Sequence, residues 1–148
     1  MVALGCDQAG FHLKEQVIEY LSENQVEFID FGTYDETPVD YPVYAKKVVD
    51  AILSGECGKG ILICGTGIGI SMTANRSNGI RAALCHDVFS AKETRRHNDA
   101  NILAMGGRVI GAGHALEVVE AFLNTEFSHD ERHEKRITLI DELFYSNS

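Results

Sequence analysis

The sequence predicts a doubly wound α/β domain, one five-stranded parallel sheet with helices on both faces. Three observations carry that prediction. Five short apolar runs alternate with stretches in which apolar residues recur at helical spacing. The run at residues 60–64 is apolar on both faces, as a central parallel strand must be. The stretches between runs are long enough for the right-handed crossovers that parallel strands require.

Along the chain, Val2–Cys6 reads as the first strand, closed by Asp7 and Gly10. In the next segment Leu13, Val17, Tyr20 and Leu21 form an apolar stripe, with Lys14, Glu15, Glu19 and Glu23 on the opposite face. Residues 26–31 read as a second strand ending at Gly32. The polar stretch from Thr33 to Pro42 carries both prolines and reads as a loop, and Tyr41 and Pro42 open a new helix. Ala45, Val48, Val49, Ile52 and Leu53 give that helix its stripe, and Gly55 ends it. After the strand at 60–64 comes Gly65-Thr66-Gly67-Ile68-Gly69, then a helix to about residue 75 and a fourth strand at 80–85. A helix from Val88 is expected to carry Lys92, Arg95 and Arg96 on its polar side, followed by a fifth strand at 102–105 and Gly106-Gly107. Ala115, Val118, Val119, Phe122 and Leu123 mark another helix. The last, charged segment, residues 130–143, has only Ile137, Ile140 and Phe144 at helical spacing. A stripe so narrow predicts a helix that reaches a partner subunit.

Composition limits the function classes. The chain has 148 residues, 45% of them hydrophobic, and 13 Lys+Arg against 22 Asp+Glu give a net charge of −9. This length suits a single domain, 1–148, with one core and no need of staples. No basic cluster is longer than Arg95-Arg96, so neither nucleic acid nor an anionic membrane is an expected partner. No long apolar run or signal-peptide pattern occurs, which predicts a cytoplasmic protein. The four cysteines, at 6, 57, 64 and 85, are expected to be free thiols, and no zinc-type spacing implies a metal or other cofactor.

Ligands of such sheets sit beyond the carboxyl ends of the strands, where strand order reverses. The strongest candidate there is Cys64-Gly65-Thr66-Gly67-Ile68-Gly69. Its glycine turn opens a helix and aims backbone N–H groups at an anion beside a thiol. The spacing is not that of a dinucleotide fingerprint. Position 70 is Ile, so the arginine of a cysteine phosphatase loop is missing. A helix N-terminus favours a thiolate, so a base that removes a proton next to a carbonyl fits better, with N–H groups stabilising the enediolate. The other three cysteines read as small buried hydrophobes. Asp7, Gln8, Asp40 and Tyr41 lie in loops at the same edge, where the two carboxylates suit a polyol. His97 precedes Asn98 at the end of a helix and could either meet the helix terminus or transfer a proton to a ring oxygen. The remaining histidines are expected mostly at the surface. Arg108 follows the second glycine pair, and Arg132 and Arg136, one turn apart, form either a solvated face or a phosphate fork.

These residues resemble the type B ribose-5-phosphate isomerases and the related galactose-6-phosphate isomerase subunits, along nearly the whole chain. The resemblance rests on Gly5 to Phe11, Ile29 to Thr33, Asp40 to Pro42, Gly60 to Ile70, Gly79 to Ala82, Arg96 to Asp99, Gly106 to Arg108, and Arg132-His133 with Arg136. It implies a Rossmann-like, metal-free aldose–ketose isomerase acting through a cis-enediol. In that scheme Cys64 is the base and His97 assists ring opening. The turn from Gly65 through Gly67, Ile68 and Gly69, with the Thr66 hydroxyl, holds the enediolate. Asp7, Asp40, Tyr41 and Asn98 contact the sugar, and Arg108, Arg132 and Arg136 clamp the phosphate. It also implies a homodimer or tetramer with shared active sites. Gln8 stands where the ribose-5-phosphate enzymes usually carry histidine, so that phosphate contact is neutral. Ribose 5-phosphate is the expected substrate; a six-carbon phosphosugar (galactose 6-phosphate or allose 6-phosphate) and a non-catalytic phosphosugar-binding module are the alternatives.

Overall fold

The computed structural model describes residues 1–145. Its order is β1 (Val2–Cys6), a 3-10 turn (Gln8–Gly10), α1 (Phe11–Glu23), β2 (Phe28–Asp30), α2 (Tyr41–Leu53), β3 (Lys59–Cys64), α3 (Ile68–Ala74), β4 (Ala82–Leu84), α4 (Val88–Asn98), β5 (Ile102–Gly106), α5 (Ala112–Asn124) and α6 (Glu131–Tyr145). All pairings are parallel, in the order β2-β1-β3-β5-β4. The chain leaves β1 toward one edge and returns past it to β3, so the order reverses between β1 and β3. That is where a ligand crevice forms.

Alternation on the central strands divides the core. Ile61 and Ile63 of β3 and Leu103 and Met105 of β5 face a layer that includes Leu13, Val17, Ala91, Val118 and Phe122 of α1, α4 and α5. Leu62 and Cys64, with Ile102 and Ala104, face Ala45, Val48, Val49, Ile70 and Ala74 of α2 and α3. Cys64 is thus directed to the α2/α3 side by strand parity alone.

Several expectations change. The edge strands are shorter than their apolar runs: β2 pairs only over Phe28–Asp30 and β4 only over Ala82–Leu84. Lys14, assigned to the polar face of α1, is fully buried; its Nζ donates to Asp30 Oδ1 at 2.6 Å and to the Thr33 carbonyl at 2.5 Å. Arg95 is also buried, donating to the Thr125 and Ala100 carbonyls at 3.0 and 2.6 Å and to Asp99 at 2.8 Å. In both cases a long side chain turns a nominally polar helix position inward to satisfy backbone carbonyls. Among the described residues no helix is long and apolar enough to cross a membrane. On α6 only His133 is buried, while Leu143 and Phe144 are 72% and 79% exposed.

Candidate active site

The crevice is built by backbone contacts around the end of β3. Gly10 sits against it so closely that an added Cβ would lie 2.4 Å from the Ile63 carbonyl oxygen. Gly107 N–H donates to the Cys64 carbonyl at 2.8 Å and Arg108 N–H to that of Gly65 at 3.0 Å, latching the turn after β5 onto the turn after β3. His86 Nε2 accepts from Gly106 N–H at 2.8 Å. It does so as a neutral ring, and burial holds its pKa below the usual histidine value. His86, expected at the surface, is therefore a prop for this end of β5.

Within that frame Cys64 is 5% exposed and its Sγ accepts from Gly67 N–H at 3.1 Å. The bond exists because Gly67 adopts φ +79°, the left-handed conformation open to glycine, as α3 begins. Thr66 Oγ1 accepts from Ile68 N–H at 3.2 Å, which leaves its own O–H proton to be donated elsewhere. Arg108 lies over the turn, its Nη1 3.3 Å from where a Cβ on Gly65 would stand. The Tyr41 ring approaches from the start of α2; its Cζ and hydroxyl oxygen would be 2.6 Å from a Cβ on Gly69.

Asp7 is not a solvated loop carboxylate. It is 7% exposed, and its Oδ1 accepts from Ala9 and Gly10 N–H at 3.0 and 3.1 Å, capping the turn that covers β3. Gln8 uses Oε1 to accept from Val39 N–H at 2.9 Å, tying the loop before α2 to the crevice. Asp40 next to it is exposed and makes no side-chain cap to α2. The structure therefore gathers Asp7, Gln8, Tyr41, Cys64, Thr66, the glycine turn and Arg108 at the carboxyl edge, with Asp40 on the adjoining loop.

His97, Asn98, Arg132 and Arg136 are not brought there within one chain. Gly60 is in register with Ile102, and Cys64 with Gly106. His97 ends α4 just before β5, at the amino edge of the sheet, while Cys64 is at the carboxyl edge, with roughly 13 Å of strand between the two edges. Asn98 is held there through its carbonyl, which accepts from Arg81 Nε at 2.8 Å. Arg132 and Arg136 are exposed on α6, whose His133 stacks on His97. His133, expected at the surface, is 6% exposed. Sequence reasoning also passed over Glu93, although its place four residues before His97 on a helix marked it as a neighbour. The cysteines at 6, 57, 64 and 85 are all free and buried.

Fold and site together define a class, the doubly wound α/β enzymes that keep a thiol beside an N–H-rich turn at the sheet's switch point. Residues 2–140 match the family model described as Ribose/Galactose Isomerase, and the chain belongs to that family. It is 46% identical over 139 residues to ribose-5-phosphate isomerase B of Escherichia coli (strain K12), covering 94% of this chain and 93% of that protein. The ribose 5-phosphate isomerase of Thermotoga maritima superposes with a TM-score of 0.93 at 54% identity, covering 95% of this chain and 97% of that one. Ribose-5-phosphate isomerase B of Clostridium thermocellum superposes with a TM-score of 0.94 at 46% identity, covering 96% and 95%.

Proposed function

We propose that the protein interconverts ribose 5-phosphate and ribulose 5-phosphate, with Cys64 as the base. The observation that carries the reading is the Cys64 sulfur held at 3.1 Å by Gly67 N–H beneath an open glycine turn, with an arginine above it. With the open-chain aldose in the crevice, the Cys64 thiolate takes the proton from C2. The electrons of that bond form the C1–C2 double bond, and the aldehyde oxygen takes up charge beside the N–H groups of the 65–69 turn and the Thr66 hydroxyl. Return of the proton to C1 and transfer of the O2 proton to O1, which becomes a hydroxyl as C2=O forms, give the ketose. Asp7, Asp40, Tyr41 and Asn98 bind sugar hydroxyls, and Gln8 stands beside them as a neutral polar group.

His97, Asn98, Arg132 and Arg136 complete a site only when a second copy brings its amino edge to this crevice. The exposed apolar end of α6 supports that assembly, a homodimer or a tetramer made of such pairs. In it His97 opens the sugar ring and the arginines, with Arg108, hold the phosphate. A phosphosugar substrate and free thiols support a cytoplasmic location.

Turnover of ribose 5-phosphate, galactose 6-phosphate and allose 6-phosphate tests the substrate. Efficient turnover of either hexose phosphate without ribose 5-phosphate would replace it. Mixing inactive C64A and H97A chains tests the shared site. Random exchange in dimers leaves one intact site in half of the pairs, so about a quarter of wild-type activity returns; no recovery after subunit exchange refutes sharing.

A further inference from the structure

We propose that Glu93 and His133 are positioning residues that fix the His97 ring with Nε2 protonated, so that Nδ1 is the nitrogen presented to the sugar. The inference rests on the ring-opening role given to His97 above. Glu93 lies one helical turn before His97 on α4, and its Oε2 is 3.0 Å from His97 Nε2. The other oxygen, Oε1, accepts from Arg96 Nη1 at 2.9 Å, which fixes the plane of the carboxylate. A carboxylate can only accept, so this contact favours the ring with its proton on Nε2 and its lone pair on Nδ1.

His133 holds the ring from its face. It comes from α6, with ring centroids 4.3 Å apart and planes 17° from parallel. Its Nε2 is buried without a hydrogen-bond partner among the described residues, the nearest carboxylate oxygen, Oδ2 of Asp130, being 4.0 Å away. That nitrogen therefore anchors nothing, and what His133 supplies is a flat surface. Burial, then repulsion from any charge on His97 and from Arg132 and Arg136, hold its pKa below the usual value against the pull of Asp130. A neutral ring beside His97 does not oppose a charge that appears there.

This arrangement suits ring opening. Nδ1 takes the proton from the anomeric hydroxyl, the C1–O bond of the ring breaks as C1=O forms, and the imidazolium returns the proton to the former ring oxygen. The proton moves from one sugar oxygen to the other and His97 ends unchanged. The Glu93 carboxylate faces the imidazolium while it exists, as a buried carboxylate does for a catalytic histidine.

Ring nitrogen NMR of the ¹⁵N-histidine-labelled full chain tests the tautomer without reference to activity. The expected result is His97 protonated on Nε2 in the wild type and a mixture of tautomers in E93Q, whose amide can donate as well as accept. Kinetics supply the second arm. Ribulose 5-phosphate has no ring to open, so deuterium uptake from D2O at its C1 needs Cys64 but not His97. E93Q and H133A should convert ribose 5-phosphate about tenfold more slowly or worse, part of what general acid–base transfer contributes, while the exchange stays within about twofold. H133F, which keeps the flat ring, should restore most of what H133A loses. His97 protonated on Nδ1 in the wild type, E93Q converting ribose 5-phosphate at the wild-type rate, or equal loss of conversion and exchange overturns the proposal. Exchange that survives in C64A would instead overturn the cysteine base, and the tautomer measurement would still decide the role of Glu93.

Discussion

Two glycines of the same turn should respond oppositely to alanine. Gly67 has φ +79°, and its Cβ would lie 2.6 Å from Leu84 Cδ1 and 2.7 and 2.9 Å from the backbone carbon and oxygen of Met105. A left-handed L-residue costs about 1–2 kcal/mol, and forcing a methyl against strand backbone adds about 1–3 kcal/mol. G67A should therefore lose about 3 kcal/mol, which for a chain of this size lowers Tm by about 6–12 °C. Gly69 lies inside α3, and its Cβ would meet only the far end of the Tyr41 side chain, which is 37% exposed and free to swing away. Alanine also favours the helix by up to about 1 kcal/mol. G69A should thus unfold at or slightly above the wild-type temperature. Its cost falls on the substrate: Tyr41 is displaced, and loss of one hydrogen bond of about 1 kcal/mol raises KM roughly fivefold. Circular dichroism melts together with KM for ribose 5-phosphate check both. A G67A protein melting within about 2 °C of wild type, or a G69A protein less stable than G67A, refutes this account of the turn.

Other perturbations reach further into the molecule. C64A should abolish isomerisation while calorimetry shows phosphosugar binding largely unchanged. Iodoacetamide near neutral pH should label Cys64 before Cys6 and Cys85, because burial pushes those thiols up to about 12 and about 11 and they stay protonated; peptide mass mapping with equal labelling at all sites would remove the argument. Stability should fall as pH drops below about 6.5, the unfolded value for His86, since its folded pKa lies lower and the unfolded chain then binds more protons. Urea midpoints at about pH 7.5 and about pH 5.5 would show it, with the difference reduced in H86Q. K14M should cost about 3–5 kcal/mol, as removal of one member of a buried ion pair does, read as a large drop in the urea midpoint. A chelator should leave turnover unchanged, and a loss reversed by added metal would contradict the mechanism.

Much of this was legible in the sequence where the pattern is local. Val2–Cys6 and the start of α2 at Tyr41 stand where the apolar run and the proline put them. The edge strands were over-read because an apolar run outlasts pairing. Val26 and Ile80 lie outside the strands yet pack on the two core layers. Lys14 and Arg95 were misplaced because periodicity assigns a residue to a face by its Cβ, while a long aliphatic stem can carry the charge inward. The glycine turn and its cysteine were readable because strand, turn and helix follow one another without a break. The link from Gln8 to Val39 spans two loops 31 residues apart and leaves no periodic trace. The candidate residues fall at two sheet edges because His97 lies just before one parallel strand and Cys64 ends another, which the order of elements already implies.

That division has a consequence for how activity depends on amount of protein. In the proposed assembly each chain would hold the thiol half of one site at its carboxyl edge and the histidine half of another at its amino edge. Below the dissociation constant of the pair, the rate would grow with the square of protein concentration, and specific activity would fall on dilution.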